Sequence, residues 1–188
     1  NGVAVFNNGA STPWYWDGNT GAAALPLPGW PEDVTCKALR AFKFHLFAMN
    51  ITNPEGSFPN QVLWSASAEP GGIPLEWIPT PTNDAGDLQL ASTPVPIIDG
   101  AALRDQLVIY KAHSTYALSY IGGTFTYAQR KLFASSGILA RNCVTEYEGT
   151  HYVFGDGDCY RHDGNSIQSL VKGRAKAALF DIVDPNAF

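Results

Sequence analysis

The sequence predicts a mainly β protein made of small, propeller-like antiparallel sheets with a short C-terminal helix. Three observations carry that expectation. Short apolar and aromatic runs recur along the 188 residues, and Gly-, Asn- or Asp-containing turns separate them. Charged residues make up only 15%, against a background of about 25%, while 18 Gly and 13 Pro supply turn positions. One strand–turn–strand–turn pattern occurs twice, near the two ends of the chain. The same figures exclude other classes. Aromatic and β-branched residues are plentiful and the net charge is only −5, so the chain is not a disordered one. Ala, Glu, Lys and Leu at helical spacing are mostly missing, which excludes a helical bundle. No window reaches the ~18 uninterrupted apolar residues of a membrane-spanning helix.

The elements follow in order. Val3–Phe6 reads as a strand, closed by the turn Asn7-Asn8-Gly9. Trp14-Tyr15-Trp16 is the next, closed by Asp17-Gly18-Asn19. Leu25–Pro31 is a Pro-rich connector. Val34–Ile51 holds two strands, and alternation sets Phe42, Phe44, Leu46 and Ala48 on one face, with Lys43 and His45 on the other. Asn53-Pro54-Glu55-Gly56 is a turn and Gln61–Ser65 a strand. From Glu69 to Pro96 the chain reads as one long loop, and such loops are commonly functional or interfacial. Strands return after a turn at Asp99-Gly100: Leu107–Lys111, Tyr116–Ile121 and Phe125–Arg130, the last two joined at Gly122-Gly123. Asn142–Glu146, His151–Phe154, Cys159–His162 and Ile167–Leu170 complete the set. Then the period changes. Val171, Ala175, Ala178, Leu179 and Ile182 fall at helical spacing. The expected boundaries are residues 1–170 for the propeller-like domain, with its loop at about 69–96, and 171–188 for helix and tail.

The repeat is the most telling feature. Val5-Phe6-Asn7-Asn8-Gly9 and Trp14–Asn19 form one copy; Val153-Phe154-Gly155-Asp156-Gly157 and Tyr160–Asn165 form the other. Each ends in Asp-Gly-Asn: Asp17, Gly18 and Asn19 in the first, Asp163, Gly164 and Asn165 in the second. Asp can bond the backbone two residues on, and Gly accepts positive φ. The separation of the copies equals three to four units of ~40–45 residues, the size of a four-stranded blade. A β-sandwich also accommodates short, evenly spaced strands, but gives no reason for the recurrence. A partial set of blades cannot close alone. That fact, a start at Asn1 and a single methionine, Met49, suggest a section of a longer protein, with processing as the alternative account of the start.

Charge and cysteines narrow the function. A pI of about 5.2 and scattered Lys and Arg leave no basic footprint for nucleic acid. Cys36, Cys143 and Cys159 are odd in number and lack CxxC spacing, so they read as small buried hydrophobes in a reducing compartment, with one Cys143–Cys159 bridge as the alternative. Nucleophile-elbow, zincin, Walker A and dinucleotide-binding motifs are absent from the sequence. His151 and His162, the nearest histidine pair, flank Asp156, Asp158 and Asp163; a metal site there competes with ordinary turn aspartates. Glu146 and Glu148 at period two could suggest a glycosidase pair, although exposed strand neighbours are normally just solvated. No catalytic residue, cofactor or metal is expected. Trp14 and Trp16, or Trp64, could stack a sugar, against a plainer role in blade packing. Pro70, Gly71, Gly72, Trp77, Pro79 and Pro81 mark the long loop as a candidate subunit contact, because Pro reduces the entropy lost on docking; an uncommitted surface excursion is the alternative.

Several stretches resemble a known family. They include Trp30-Pro31, Phe42 to Asn50, Val62-Leu63-Trp64-Ser65, Pro70-Gly71-Gly72-Ile73-Pro74 with Trp77, and Asp84-Ala85-Gly86. Tyr110-Lys111, Ser114-Thr115-Tyr116, Tyr120-Ile121-Gly122-Gly123, Gly137-Ile138-Leu139-Ala140 and His162 to Asn165 continue the likeness. Together they resemble structural tail proteins of tailed bacteriophages, in particular the propeller-bearing nozzle (tail tubular protein B) and tail-stabilisation proteins of short-tailed phages. The likeness runs from about Trp30 to Phe180. It implies a non-enzymatic virion protein, assembled in the host cytoplasm into a ring, a hexamer, beside other tail or portal-adaptor proteins. DNA would pass transiently through the lumen, where an acidic wall would not retain phosphates. The alternative function is a carbohydrate-binding propeller or receptor-binding module.

Overall fold

Tight hairpins organise the chain. In the computed structural model, which describes residues 2–123 and 125–183, three of them have two-residue turns whose first residue is left-handed. Lys43 (φ 51°) turns β4 (Thr35–Phe42) into β5 (His45–Asn53), and Arg104 (φ 55°) turns β8 (Ile97–Leu103) into β9 (Gln106–Lys111). Glu148 (φ 49°) turns β12 (Val144–Tyr147) into β13 (Thr150–Phe154). Each of these hairpins opens a four-stranded antiparallel sheet, and the turns match the twist of paired strands. The sheets run up and down in sequence order with no crossover. The second contains β4, β5, β6 (Gly56–Trp64) and β7 (Gly86–Gln89); the third contains β8, β9, β10 (Thr115–Tyr120) and β11 (Tyr127–Phe133). The fourth contains β12, β13, β14 (Cys159–His162) and β15 (Ile167–Ser169). The first sheet has three strands: β1 (Ala4–Phe6), β2 (Trp14–Trp16) and β3 (Leu25–Pro26). The protein is therefore mainly β and blade-like, with four antiparallel sheets and a short helix, α1 (Gly173–Asp181), and without a closed barrel among the described residues. No helix there is long and apolar enough to cross a membrane.

The two Asp-Gly-Asn turns have the same geometry. Asn19 N–H donates to Asp17 Oδ1 at 2.9 Å, and Asn165 N–H donates to Asp163 Oδ1 at 2.9 Å. Gly18 and Gly164 lie at φ 85° and 90°, where a Cβ would be strained. One turn joins β2 to β3 and the other β14 to β15.

Contacts divide the chain into two compact units, Asn1–Pro94 and Val95–Phe188. In the first, β1 and β2 turn Val5 and Tyr15 onto a core of Cys36, Leu46, Ala48, Ile51 and Trp77. Asn7 Nδ2–H ties the sheets by donating to the Cys36 carbonyl at 3.0 Å. Burial pushes the Cys36 thiol up to about 12. Cys36 should therefore resist iodoacetamide at pH 8 in the folded protein and react in urea; rapid native labelling would contradict this packing. All three cysteines are free, so the alternative Cys143–Cys159 bridge is not formed. In the second unit, Leu103, Val108 and Tyr110 pack against Ile138, Val153 and Tyr160. Helix α1 buries none of its residues; Phe180 stacks near Phe154, with centroids 5.3 Å apart, and Lys176 pairs with Asp158 at 3.2 Å.

Four sequence expectations change. The alternation from Phe42 to Ala48 breaks at the Lys43-Phe44 turn, so Phe44 is exposed and His45 buried. The Glu69–Pro96 loop contains β7, an edge strand paired only with β6. Asp99-Gly100 is no turn. It lies inside β8 at an irregularity in pairing, where the buried Asp99 carboxylate accepts the N–H groups of Gly100 and Asn142, both at 2.8 Å. Glu148 leaves the strand at its turn, and Glu146 Oε1 accepts the Gly149 N–H at 2.7 Å, so the two carboxylates are not strand neighbours on one face.

Candidate functional site

In the first unit the loop between β6 and β7 is pinned at several points. Ala68 N–H donates to the Phe44 carbonyl and Ala66 N–H to that of Glu76, both at 2.8 Å. Asp84 bridges the loop's two arms: its Oδ1 accepts Ser67 N–H and its carbonyl accepts Trp64 Nε1–H, each at 2.8 Å. Asn83 Nδ2 donates to Glu76 Oε2 at 2.7 Å and to the Ile78 carbonyl at 3.0 Å. Two glycines allow close approach. A Cβ on Gly29 would lie 2.0 Å from the Leu75 carbonyl oxygen, and one on Gly86 would lie 2.3 Å from the Trp64 indole. His45 Nδ1 donates to the Ser65 carbonyl at 2.8 Å, and its Nε2 faces Asp84 Oδ2 at 3.7 Å. The loop is thus held to the sheet by hydrogen bonds from both of its arms.

Within it, the six residues marked by sequence divide. Trp77 is only 2% exposed and meets Trp30 edge-on, with centroids 4.6 Å apart, so it anchors the loop to the core and offers no contact surface. Pro70, Gly71, Gly72, Pro79 and Pro81 are exposed. Between them Leu75 and Ile78, whose residue types carry no contact signal in the sequence, are 70% and 65% exposed. An open groove of about 800 Å³ runs beside Leu75, lined also by Glu69, Ile73 and Glu76. Ordered backbone carrying exposed apolar side chains suits protein docking, since little entropy remains to be lost.

The tryptophans also divide. Pairing of Phe6 with Trp14 and Ala4 with Trp16 turns both β2 tryptophans outward, while Tyr15 packs inward. Trp16 Nε1 is held by the Asn19 and Ala22 carbonyls at 2.9 and 3.2 Å. Trp64 is buried and cannot stack an external sugar.

In the second unit, His151 and His162 lie opposite each other in register on β13 and β14. Tyr110 from β9 reaches between them. Its hydroxyl lies 2.7 Å from His151 Nδ1 and 2.6 Å from His162 Nε2. Donor logic orients every proton. The Ala102 carbonyl can only accept, so His151 Nε2, 2.7 Å away, carries the proton and Nδ1 accepts from Tyr110. Gly164 N–H donates to His162 Nδ1 at 3.2 Å, so His162 Nε2 carries its proton and donates to the Tyr110 oxygen. The hydrogen bonds thus run one way: Gly164 to His162 to Tyr110 to His151 to Ala102. Both imidazoles are neutral in this order. Burial lowers the His162 pKa from 6.5 to about 4, with His151 adding to the shift and Asp163 opposing it. Burial lowers His151 in the same direction, against the Ala102 carbonyl and Glu146. Burial also raises the phenols of Tyr110 and Tyr160. All four nitrogens of His151 and His162 are occupied, which removes the lone pairs a metal would need there. The aspartates once grouped with these histidines are separately engaged. Asp156 lies 4.0 Å from His113, Asp158 pairs with Lys176, and Asp163 closes its turn. No His, Cys, Asp and Glu grouping suited to a metal occurs among the described residues.

No protein-family model matches this sequence, and no curated protein matches it.

Proposed function

We propose that the chain is a non-enzymatic structural subunit of a bacteriophage tail. It would work by contact with copies of itself and with neighbouring tail or portal-adaptor proteins. The observation that carries this reading is the pinned loop of the first unit, with Leu75 and Ile78 presented on ordered backbone. The blade-like sheets and the family resemblance support the same assignment, with fold likeness as the weaker support because one fold hosts many functions. In this reading the subunits close into a nozzle-like ring, a hexamer, in the virion, after assembly in the host cytoplasm. The net charge of −5 suits a lumen through which DNA slides.

Electron microscopy of the purified protein tests the proposal. Rings of regular symmetry are the expected result. The double variant Leu75→Asp, Ile78→Asp should keep its thermal midpoint, because both side chains are already in water, and should lose ring formation. Burying two unpaired carboxylates at a contact would cost several kcal/mol. Wild-type protein that stays monomeric at high concentration, or a double variant that still forms rings, would overturn the assignment.

A further inference from the structure

The second Asp-Gly-Asn turn does more than reverse the chain. It sits over one end of the third sheet, with Leu103 Cδ2 3.5 Å from where a Gly164 Cβ would be. Beside it lies a hollow of about 160 Å³. The register explains which side chains reach it. Leu103 pairs with Gln106 and Gln106 with Ser119, so the three share one face. Arg130 pairs with Ala117, which pairs with Val108, one step along the same face. Val108 is buried, whereas Arg130, on the edge strand, is open to solvent. Arg104 and Asp105 come from the β8–β9 turn. Arg104 is held from behind: its Nε lies 2.8 Å from where a Gly149 Cβ would be, so the guanidinium packs onto a backbone that only glycine leaves bare.

Arg104, Arg130, Asp105 and Asp163 therefore line one hollow together with Gln106 and Asn165. Among the described residues these four charges form no ion pair with one another. Asp163 Oδ1 is spent on the turn, accepting from Asn165 and Ser166 N–H. Gln106 is fixed through Nε2 to Ser119 Oγ at 3.0 Å. The forks of Arg suit a planar carboxylate. Carboxylate acceptors and amide donors beside them suit hydroxyls, which both give and accept hydrogen bonds. The volume is below that of pockets for drug-sized ligands, about 300–1,000 Å³, and fits a single ring.

We propose that this hollow binds one sugar unit carrying a carboxylate, with Arg104 and Arg130 on the carboxylate and Asp105, Gln106 and Asn165 on the hydroxyls. Nothing in this site depends on the loop of the first unit or on assembly. The first Asp-Gly-Asn turn has no such setting: Asn19 there is occupied with Trp16 and Gly21.

The test is an amide NMR titration of the full chain with D-glucuronic acid, D-glucose and sodium acetate in parallel. Glucuronate should shift the amides of Arg104, Asp105, Gly164 and Asn165 along one saturable curve, with Kd on the order of 1 mM. Glucose and acetate should each bind at least tenfold more weakly. Arg130→Gln, at an exposed position, should weaken glucuronate about tenfold with an unchanged thermal midpoint. Acetate binding as tightly as glucuronate would reduce the site to a simple anion hollow and overturn the proposal. Glucose binding equally well would overturn the role of the arginines. Shifts absent from these amides, or an Arg130→Gln variant that binds like wild type, would refute it outright.

Discussion

Acidification from pH 7 to pH 4 should remove on the order of 3 kcal/mol of stability, and most of that loss should trace to the histidines beside Tyr110. His162 has an ordinary pKa of 6.5 when unfolded and about 4 when folded. Between those values the unfolded chain binds a proton that the folded chain refuses, so stability falls as pH falls. It is fully present above 6.5 and levels off below 4 for this group. His151 acts in the same sense. The geometry gives the reason. A proton on His162 Nδ1 would confront Gly164 N–H, and one on His151 Nδ1 would confront the Tyr110 hydroxyl. Reversing Tyr110 only passes the conflict to His162. A further acid loss belongs to Asp163, whose carboxylate is held down to about 2, chiefly by the N–H groups of Ser166 and Asn165; its contribution disappears between 3.8 and that value. Urea unfolding across pH 7 to 4 checks the slope. Tyr110→Phe should cost about 2–4 kcal/mol even at pH 7, because it orphans a buried acceptor on His151 and a buried donor on His162. In His162→Phe the slope between pH 6.5 and 4 should drop by about one proton. A slope unchanged in that variant would show that the histidines are not the acid-sensitive groups.

Gly137→Ala should be the most damaging single methyl in the second unit. The added Cβ would lie 2.0 Å from the Lys111 carbonyl oxygen and 2.4 Å from that of Ala112. Both obstacles are backbone, so no side-chain rotation relieves them. The same crossing is fixed on all sides. Ile138 N–H donates to the Lys111 carbonyl at 3.0 Å, and Leu139 N–H to that of Phe154 at 3.0 Å. Tyr160 Oη donates to the Gly137 carbonyl at 2.7 Å. Pushing the segment out breaks these bonds and empties the site of Ile138, which is fully buried. A loss of at least about 3 kcal/mol is expected, within the range reserved for overpacking combined with lost buried hydrogen bonds. Gly2→Ala, where a Cβ meets nothing within 4 Å, should leave stability unchanged. Equal midpoints for the two variants in urea would contradict the close crossing.

Much of the fold was legible because it is local. Alternation and turn chemistry act over a few residues, so Trp14–Trp16, Gln106–Lys111 and Cys159–His162 could be read as strands, within a residue or so, without partners. The same locality explains the errors. Asp-Gly is a turn signal by itself, yet at Asp99-Gly100 a distant amide, that of Asn142, holds the carboxylate inside a strand. Gly86–Gln89 lacks strong apolar alternation because it is an edge strand with one partner. At Trp77 loop contact and core packing read alike in sequence, because the ring it packs on, Trp30, is far away along the chain.

The candidate sites show the division most clearly. The two Asp-Gly-Asn turns were determined by the residues themselves, since Asp bonds the amide two positions on and Gly supplies the left-handed backbone. Tyr110 lies 41 and 52 residues from the histidines it joins, and its type carries no signal of that role. Arg104 and Arg130 likewise meet in one hollow only through strand register. Composition and short-range pattern thus decided the class of the protein, its turns, its blade-like sheets and its helix. Tertiary structure decided which polar groups are buried, which proton each imidazole carries and which charges share a surface. The physical reason is range: turn and pleat preferences act between neighbours, whereas burial and hydrogen-bond partnership are set only when distant strands pack.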